Sequence, residues 1–143
     1  MYGEIRGNQT VFSVARASIS EQLPSRFGIL YAEDILVTDG PDPESKKLGR
    51  SQGTIATQDL KEIRTLGVMI NVVFTNGEYK GSTLSCMGRI LFINQVREVP
   101  IIGGSGAFRR AWGYALLTTY SVDVYGNSYV VEYDAVVYNE TYT

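Results

Sequence analysis

Gly113-Tyr-Ala-Leu-Leu-Thr-Thr-Tyr-Ser-Val-Asp-Val-Tyr-Gly-Asn-Ser-Tyr-Val-Val-Glu-Tyr-Asp-Ala-Val-Val-Tyr138 is two runs of β-branched and aromatic residues on either side of Gly126-Asn127. Such side chains fit a pleated surface, and Gly and Asn take the positive φ that a two-residue hairpin turn requires. The stretch predicts a β-hairpin. With that turn Tyr125 opposes Ser128, and counting outward puts Thr119 opposite Asp134, Ser121 opposite Glu132 and Leu117 opposite Val136 on one face. This face grades from polar to apolar, as a ligand-lined barrel interior would. The other face carries Tyr114, Leu116, Tyr120 and Val122 against Tyr133, Ala135 and Val137, which predicts a subunit contact on the outside.

Outward from the hairpin the same chemistry repeats. A second turn is expected around Asn76-Gly77, between Val68–Phe74 and Gly81–Gly88, with Gly81 marking a bulge and Arg89–Asn94 continuing the strand. Gln9–Ala17, Phe27–Leu36 and Gly49–Thr57 are further strand candidates. Pro41-Asp-Pro-Glu-Ser-Lys-Lys is a polar connection, and Asp59–Arg64 holds at most one helical turn. Short strands at regular spacing describe an all-β sandwich or closed barrel. The 143 residues fit one domain, 1–143, large enough to fold around its own core.

Composition narrows the chemistry. Thirteen Lys and Arg against fifteen Asp and Glu leave a net charge of −2, with no basic block for phosphates, so nucleic acid is not an expected partner. No apolar run reaches the roughly 18 residues of a membrane-spanning helix, so no membrane partner is expected either. The chain has no histidine, which removes Ser-His and Cys-His nucleophiles and His-ligated metal. Cys86 has no second cysteine and reads as a packing residue. Gly103-Gly-Ser-Gly106 lacks the Lys-Ser or Lys-Thr of a phosphate loop and reads as a strand bend, while Asp39 and Asp42 beside Pro41 offer too few oxygens to hold a cation. No cofactor or metal is expected.

Gly40-Pro-Asp-Pro-Glu-Ser-Lys, Gly49-Arg-Ser-Gln-Gly53, Phe74-Thr-Asn-Gly-Glu-Tyr-Lys-Gly-Ser-Thr-Leu84, Val96-Arg-Glu-Val-Pro-Ile-Ile-Gly-Gly-Ser-Gly-Ala-Phe-Arg109, Gly113-Tyr-Ala and Val131-Glu-Tyr follow one another in unbroken order. In these motifs the chain resembles the plant dirigent family. The resemblance implies an eight-stranded antiparallel β-barrel of the allene oxide cyclase type, usually a homotrimer secreted to the apoplast. The sequons Asn8-Gln-Thr and Asn139-Glu-Thr fit glycosylation in such a compartment. It further implies a small phenolic radical or quinone methide as ligand, with radicals supplied by a separate oxidase, and stereoselective coupling or cyclisation as in lignan or isoflavonoid biosynthesis. Two alternatives stand beside it: a pterocarpan-synthase-like cyclase that dehydrates a hydroxy-isoflavan, and a non-catalytic cell-wall binding protein.

Carried over position by position, the polar residues of the lignan-forming members fall on Glu4, Ile55, Ile90, Arg97 and Thr119. Ile55 and Ile90 can neither give nor take a proton, so they stand as substrate-contacting positions together with Leu117. Trp112 replaces the Arg that most members show. Arg97 either holds a substrate oxygen or ties a loop to a carboxylate. Asp134, placed opposite Thr119 by the hairpin register, is either a carboxylate of raised pKa inside the barrel or an exposed acid. Glu4 carries the acid of the first strand across a deletion. Tyr79 reads as part of a turn.

Overall fold

The computed structural model describes residues 1–6, 9–125 and 127–139. Among these, nine strands run in chain order: β1 Tyr2–Arg6, β2 Val11–Arg16, β3 Ile29–Thr38, β4 Lys47–Thr57, β5 Thr65–Phe74, β6 Thr83–Leu91, β7 Val96–Ser105, β8 Ala111–Asp123 and β9 Ser128–Asn139. The remainder is loop apart from two short 3₁₀ turns, Ser20–Gln22 and Gly106–Phe108. All pairings are antiparallel, and the order β1-β9-β8-β7-β6-β5-β4-β3 closes on itself where Tyr2 and Gly3 of β1 meet Thr38 and Val37 of β3. Eight strands form a closed barrel. The ninth, β2, pairs with the first half of β3 from Val11↔Glu33 to Arg16↔Ile29, so β1 and β2 share one edge of β3.

Alternation supplies the core. In β3, Ile29, Ile35 and Val37 point inward and are almost fully buried, as are Val68 and Val72 of β5, Leu84 and Ile90 of β6, Val99 and Ile101 of β7, and Ala115 and Leu117 of β8. Each buried Val, Leu or Ile contributes about 1.5–3 kcal/mol, and eight strands close a cylinder just wide enough for such side chains to fill. One end is plugged by Phe74, Tyr79 and Phe108, whose rings lie 4.8–5.8 Å apart. Tyr79, from a turn motif, thus helps to close the barrel floor. The other end, where β3, β5, β7 and β9 begin, remains open.

The hairpin forms, but in another register. Asp123 opposes Ser128, so the turn spans four residues, not two; that alone shifts the pairing by two and preserves every face. A bulge at Tyr120, between Thr119↔Val131 and Ser121↔Val130, adds one more residue, and an odd displacement inverts the faces. Thr119 therefore opposes Val131, and Asp134 opposes Leu116. The second turn is also longer than expected: it runs from Phe74 to Thr83, and Gly77 and Gly81 adopt φ of +83° and +86° within the loop, so Gly81 is a turn residue and not a bulge. The glycine run behaves as a bend, with β7 ending at Ser105 and Gly106 turning at φ +64°.

Candidate functional site

The open end leads through a vestibule of ≈ 360 Å³ into an inner chamber of ≈ 90 Å³, which share Ile5, Glu33, Ile55, Leu66, Phe92 and Tyr129 as walls. Ligand pockets commonly span about 300–1,000 Å³, so the vestibule holds the body of a small molecule and the chamber admits one end of it. Ile55, Ile90 and Leu117 all line the chamber. Cys86 lies there too. Burial pushes its thiol up to about 11, which leaves it protonated and inert at neutral pH.

Arg97, on β7, is 4% exposed and reaches into this apolar wall. Its Nη1 donates to the Asn94 carbonyl at 3.1 Å, its Nη2 donates to Thr119 Oγ1 at 3.2 Å, and its guanidinium lies 4.7 Å from the centre of the Phe92 ring. Among the described residues Nε has no hydrogen-bond partner. Desolvation lowers its pKa, partly offset by the phenols of Tyr129 and Tyr133, yet a guanidinium keeps its charge at any working pH. Among the described residues it pairs with no carboxylate. A buried donor left without a partner costs about 1–3 kcal/mol.

Glu33 is the acid of the site. It is 7% exposed, and it accepts a hydrogen bond of 3.0 Å at Oε1 from Ser51 Oγ, itself fully buried on the neighbouring strand β4. Desolvation, with a smaller push from Asp34, raises its carboxyl to about 7 against the opposing effect of the Ser51 hydrogen bond. Tyr129 and Tyr133 of β9 line the same chamber, and burial together with the nearby Glu33 carboxylate raises both phenols. Gly3 makes room for Tyr133, because a Cβ there would sit 3.2 Å from the Tyr133 ring and from Ile35 Cγ2. Sequence reasoning passed over Glu33, although the signal was present: it occupies the inward phase of Ile29, Tyr31, Glu33, Ile35 and Val37.

Two expected acids lie elsewhere. Asp134 is exposed on the outer face because the Tyr120 bulge inverts the register, so it does not face Thr119 or the cavity. Glu4 points away from the chamber, since Gly3 and Ile5 take the inward phase of β1; its carboxylate pairs with Arg6 at 3.0 Å. Thr119, expected opposite Asp134 in the interior, is exposed and lines neither the chamber nor the vestibule; its Oγ1 accepts the hydrogen bond from Arg97. Trp112 is on the outside, stacked on Tyr138 at 4.6 Å. Asn139 is exposed, and its Nδ2 donates to the Ala107 carbonyl at 2.6 Å, while Asn8 lies outside the described residues.

The chain has well-defined relatives. Residues 2–138 match the family described as Dirigent-like protein. The chain is 44% identical over 130 residues to dirigent protein 1 of Arabidopsis thaliana, covering 91% of this chain and 70% of that protein. It is 42% identical over 112 residues to pterocarpan synthase 1 of Glycine max, covering 78% of this chain and 60% of that protein. Among solved structures it is similar to the pterocarpan synthase dirigent protein GePTS1, with a TM-score of 0.82 at 33% identity over 100% of this chain and 86% of that one.

Proposed function

This chain belongs to the dirigent family, and from that premise we propose that its barrel binds a small planar phenolic intermediate, a phenoxy radical or quinone methide, and fixes the face on which the next bond forms. The observation that carries this reading is Arg97: a buried cationic donor whose side chain lines an apolar chamber. Such a donor suits an oxygen on which negative charge develops, as on the carbonyl of a quinone methide when its methide carbon is attacked. Apolar walls at Ile55, Ile90 and Leu117 then press on the ring and leave one face open. A bias of about 1.4 kcal/mol between faces is a tenfold preference, within the reach of one lost hydrogen bond. In the radical form, a separate oxidase supplies the reactive species.

The second reading is a dehydrating cyclase acting on a hydroxy-isoflavan. It is favoured by Glu33, by the loss of proton-bearing groups at Ile55 and Ile90, and by similarity to pterocarpan synthases. A phenolic ligand serves both readings. We place the protein in the apoplast as a homotrimer. The hairpin face expected to carry the subunit contact does not form, because Tyr133, Ala135 and Val137 turn inward against the core; the exposed apolar side chains Leu30, Met69, Met87 and Ile102 support association instead.

The test is incubation with coniferyl alcohol plus a one-electron oxidant, and separately with a hydroxy-isoflavan bearing a benzylic hydroxyl, followed by chiral chromatography. One enantiomer in excess, reduced about tenfold or more by Arg97→Leu, is the expected result. Racemic product and no measurable ligand binding would leave a non-catalytic wall protein in its place.

A further inference from the structure

Resting on the reading of a phenolic ligand in the barrel, we propose that Glu33 is a catalytic residue that carries the proton in a dehydrative ring closure, with Ser51 as its positioning residue. The geometry isolates this carboxyl. It stands where the chamber meets the vestibule, so an admitted ligand touches it. Among the described residues no Lys or Arg forms an ion pair with it, and the hydrogen bond from Ser51 engages Oε1. A carboxylate inside an apolar wall without a counter-cation is costly, and a protein that needed only shape there would place a hydrocarbon.

The groups facing Glu33 leave it as the proton carrier near neutrality. From β9, Tyr129 and Tyr133 are held in their phenol forms by burial, and from β6, Cys86 is held as a thiol. Arg97 from β7, with Arg26 and Arg64 at the mouth, carries fixed positive charge. Tyr31 on the same strand adds a further phenol to the vestibule, and Asp34 next in sequence points outward to Arg50. With its carboxyl raised to about 7, Glu33 holds both forms in comparable amounts in neutral solution.

The step balances without an external reagent. A ligand carrying a benzylic hydroxyl and a phenol within reach presents its hydroxyl oxygen to the Glu33 carboxylic acid. The proton passes to that oxygen, the C–O bond breaks with its electron pair on oxygen, and water leaves. The phenol oxygen bonds to the vacated carbon, and its proton passes to the Glu33 carboxylate, which restores the acid. One water is lost and nothing is oxidised or reduced. A single carboxyl serves both transfers because leaving and entering oxygens meet the same carbon.

Glu33→Gln keeps the volume and an acceptor for Ser51 but carries no transferable proton. The expected result is a fall in cyclisation rate of about a hundredfold or more, with affinity for the hydroxy-isoflavan, read by calorimetry, within about threefold of wild type. Wild-type rate should decline as pH rises through about 7, and the variant should lack that bend. Ser51→Ala removes the bond that favours the carboxylate, so the bend should move to higher pH, a shift that a packing role would not produce. A Glu33→Gln rate within threefold of wild type, with binding retained, overturns the role of Glu33 and leaves the phenolic reading standing. Absence of binding by the wild-type protein overturns both.

Discussion

Replacing Glu33 by Gln tests the burial of this acid through stability alone, independently of any substrate. The carboxyl ionises at about 7 in the folded barrel against an unperturbed 4.5. Below pH 4.5 it is neutral in both states and imposes no penalty. As pH rises toward 7 the unfolded chain releases the proton while the folded barrel keeps it, so stability falls with pH, and the loss is complete only above about 7. Each unit of displacement corresponds to 1.36 kcal/mol, so the full penalty is about 3 kcal/mol. Glu33→Gln carries no such penalty. At pH 4 the variant and wild type should be about equally stable, and by pH 8 the variant should be the more stable by about 3 kcal/mol. Urea unfolding at a fixed protein concentration, from pH 4 to pH 8, measures the difference directly, because the other carboxylates titrate alike in both proteins. A difference that stays flat with pH would refute the claim that this carboxyl is buried without a cation.

Asp134→Asn alters an exposed outer-face residue and should change rate and stereoselectivity by less than about twofold, measured by the same chiral chromatography; a loss of about a hundredfold would restore it as the base. Gly3→Val pushes a side chain against Tyr133 and Ile35, which lie 3.2 Å from the position of a Cβ, and should cost about 1–3 kcal/mol of stability in urea unfolding. Met69→Glu places a charge in the exposed apolar strip of Met69, Met87 and Leu30. If that strip is the subunit contact, light scattering should show a mass of about three chains for wild type and a single chain of 15.8 kDa for the variant at micromolar concentration.

Arg97, Ile55 and Ile90 were legible as candidates because the ordered family motifs carry their positions across, and Leu117 because it falls on one face of the last hairpin. Glu33 was hidden in plain alternation. A strand reads as half-buried from its majority of apolar positions, and one acid among them looks like an outward residue until neighbouring strands define the inside. The partnership of Arg97 with Thr119 likewise crosses strands β7 and β8, where pairing, and not spacing along the chain, brings the atoms to 3.2 Å.

Local chemistry determined the strands, the turn sites, the absence of histidine chemistry and, through ordered motifs, the family and its barrel. These follow from side-chain shape and backbone preference, which act over a few residues. Tertiary structure alone decided which acid enters the cavity. One extra residue at Tyr120 reverses every side chain beyond it on the paired strand, at little local cost and without a distinctive sequence mark. Barrel closure then moved Asp134 and Glu4 to the outside and left Glu33 among hydrocarbons, where the loss of water sets its proton affinity.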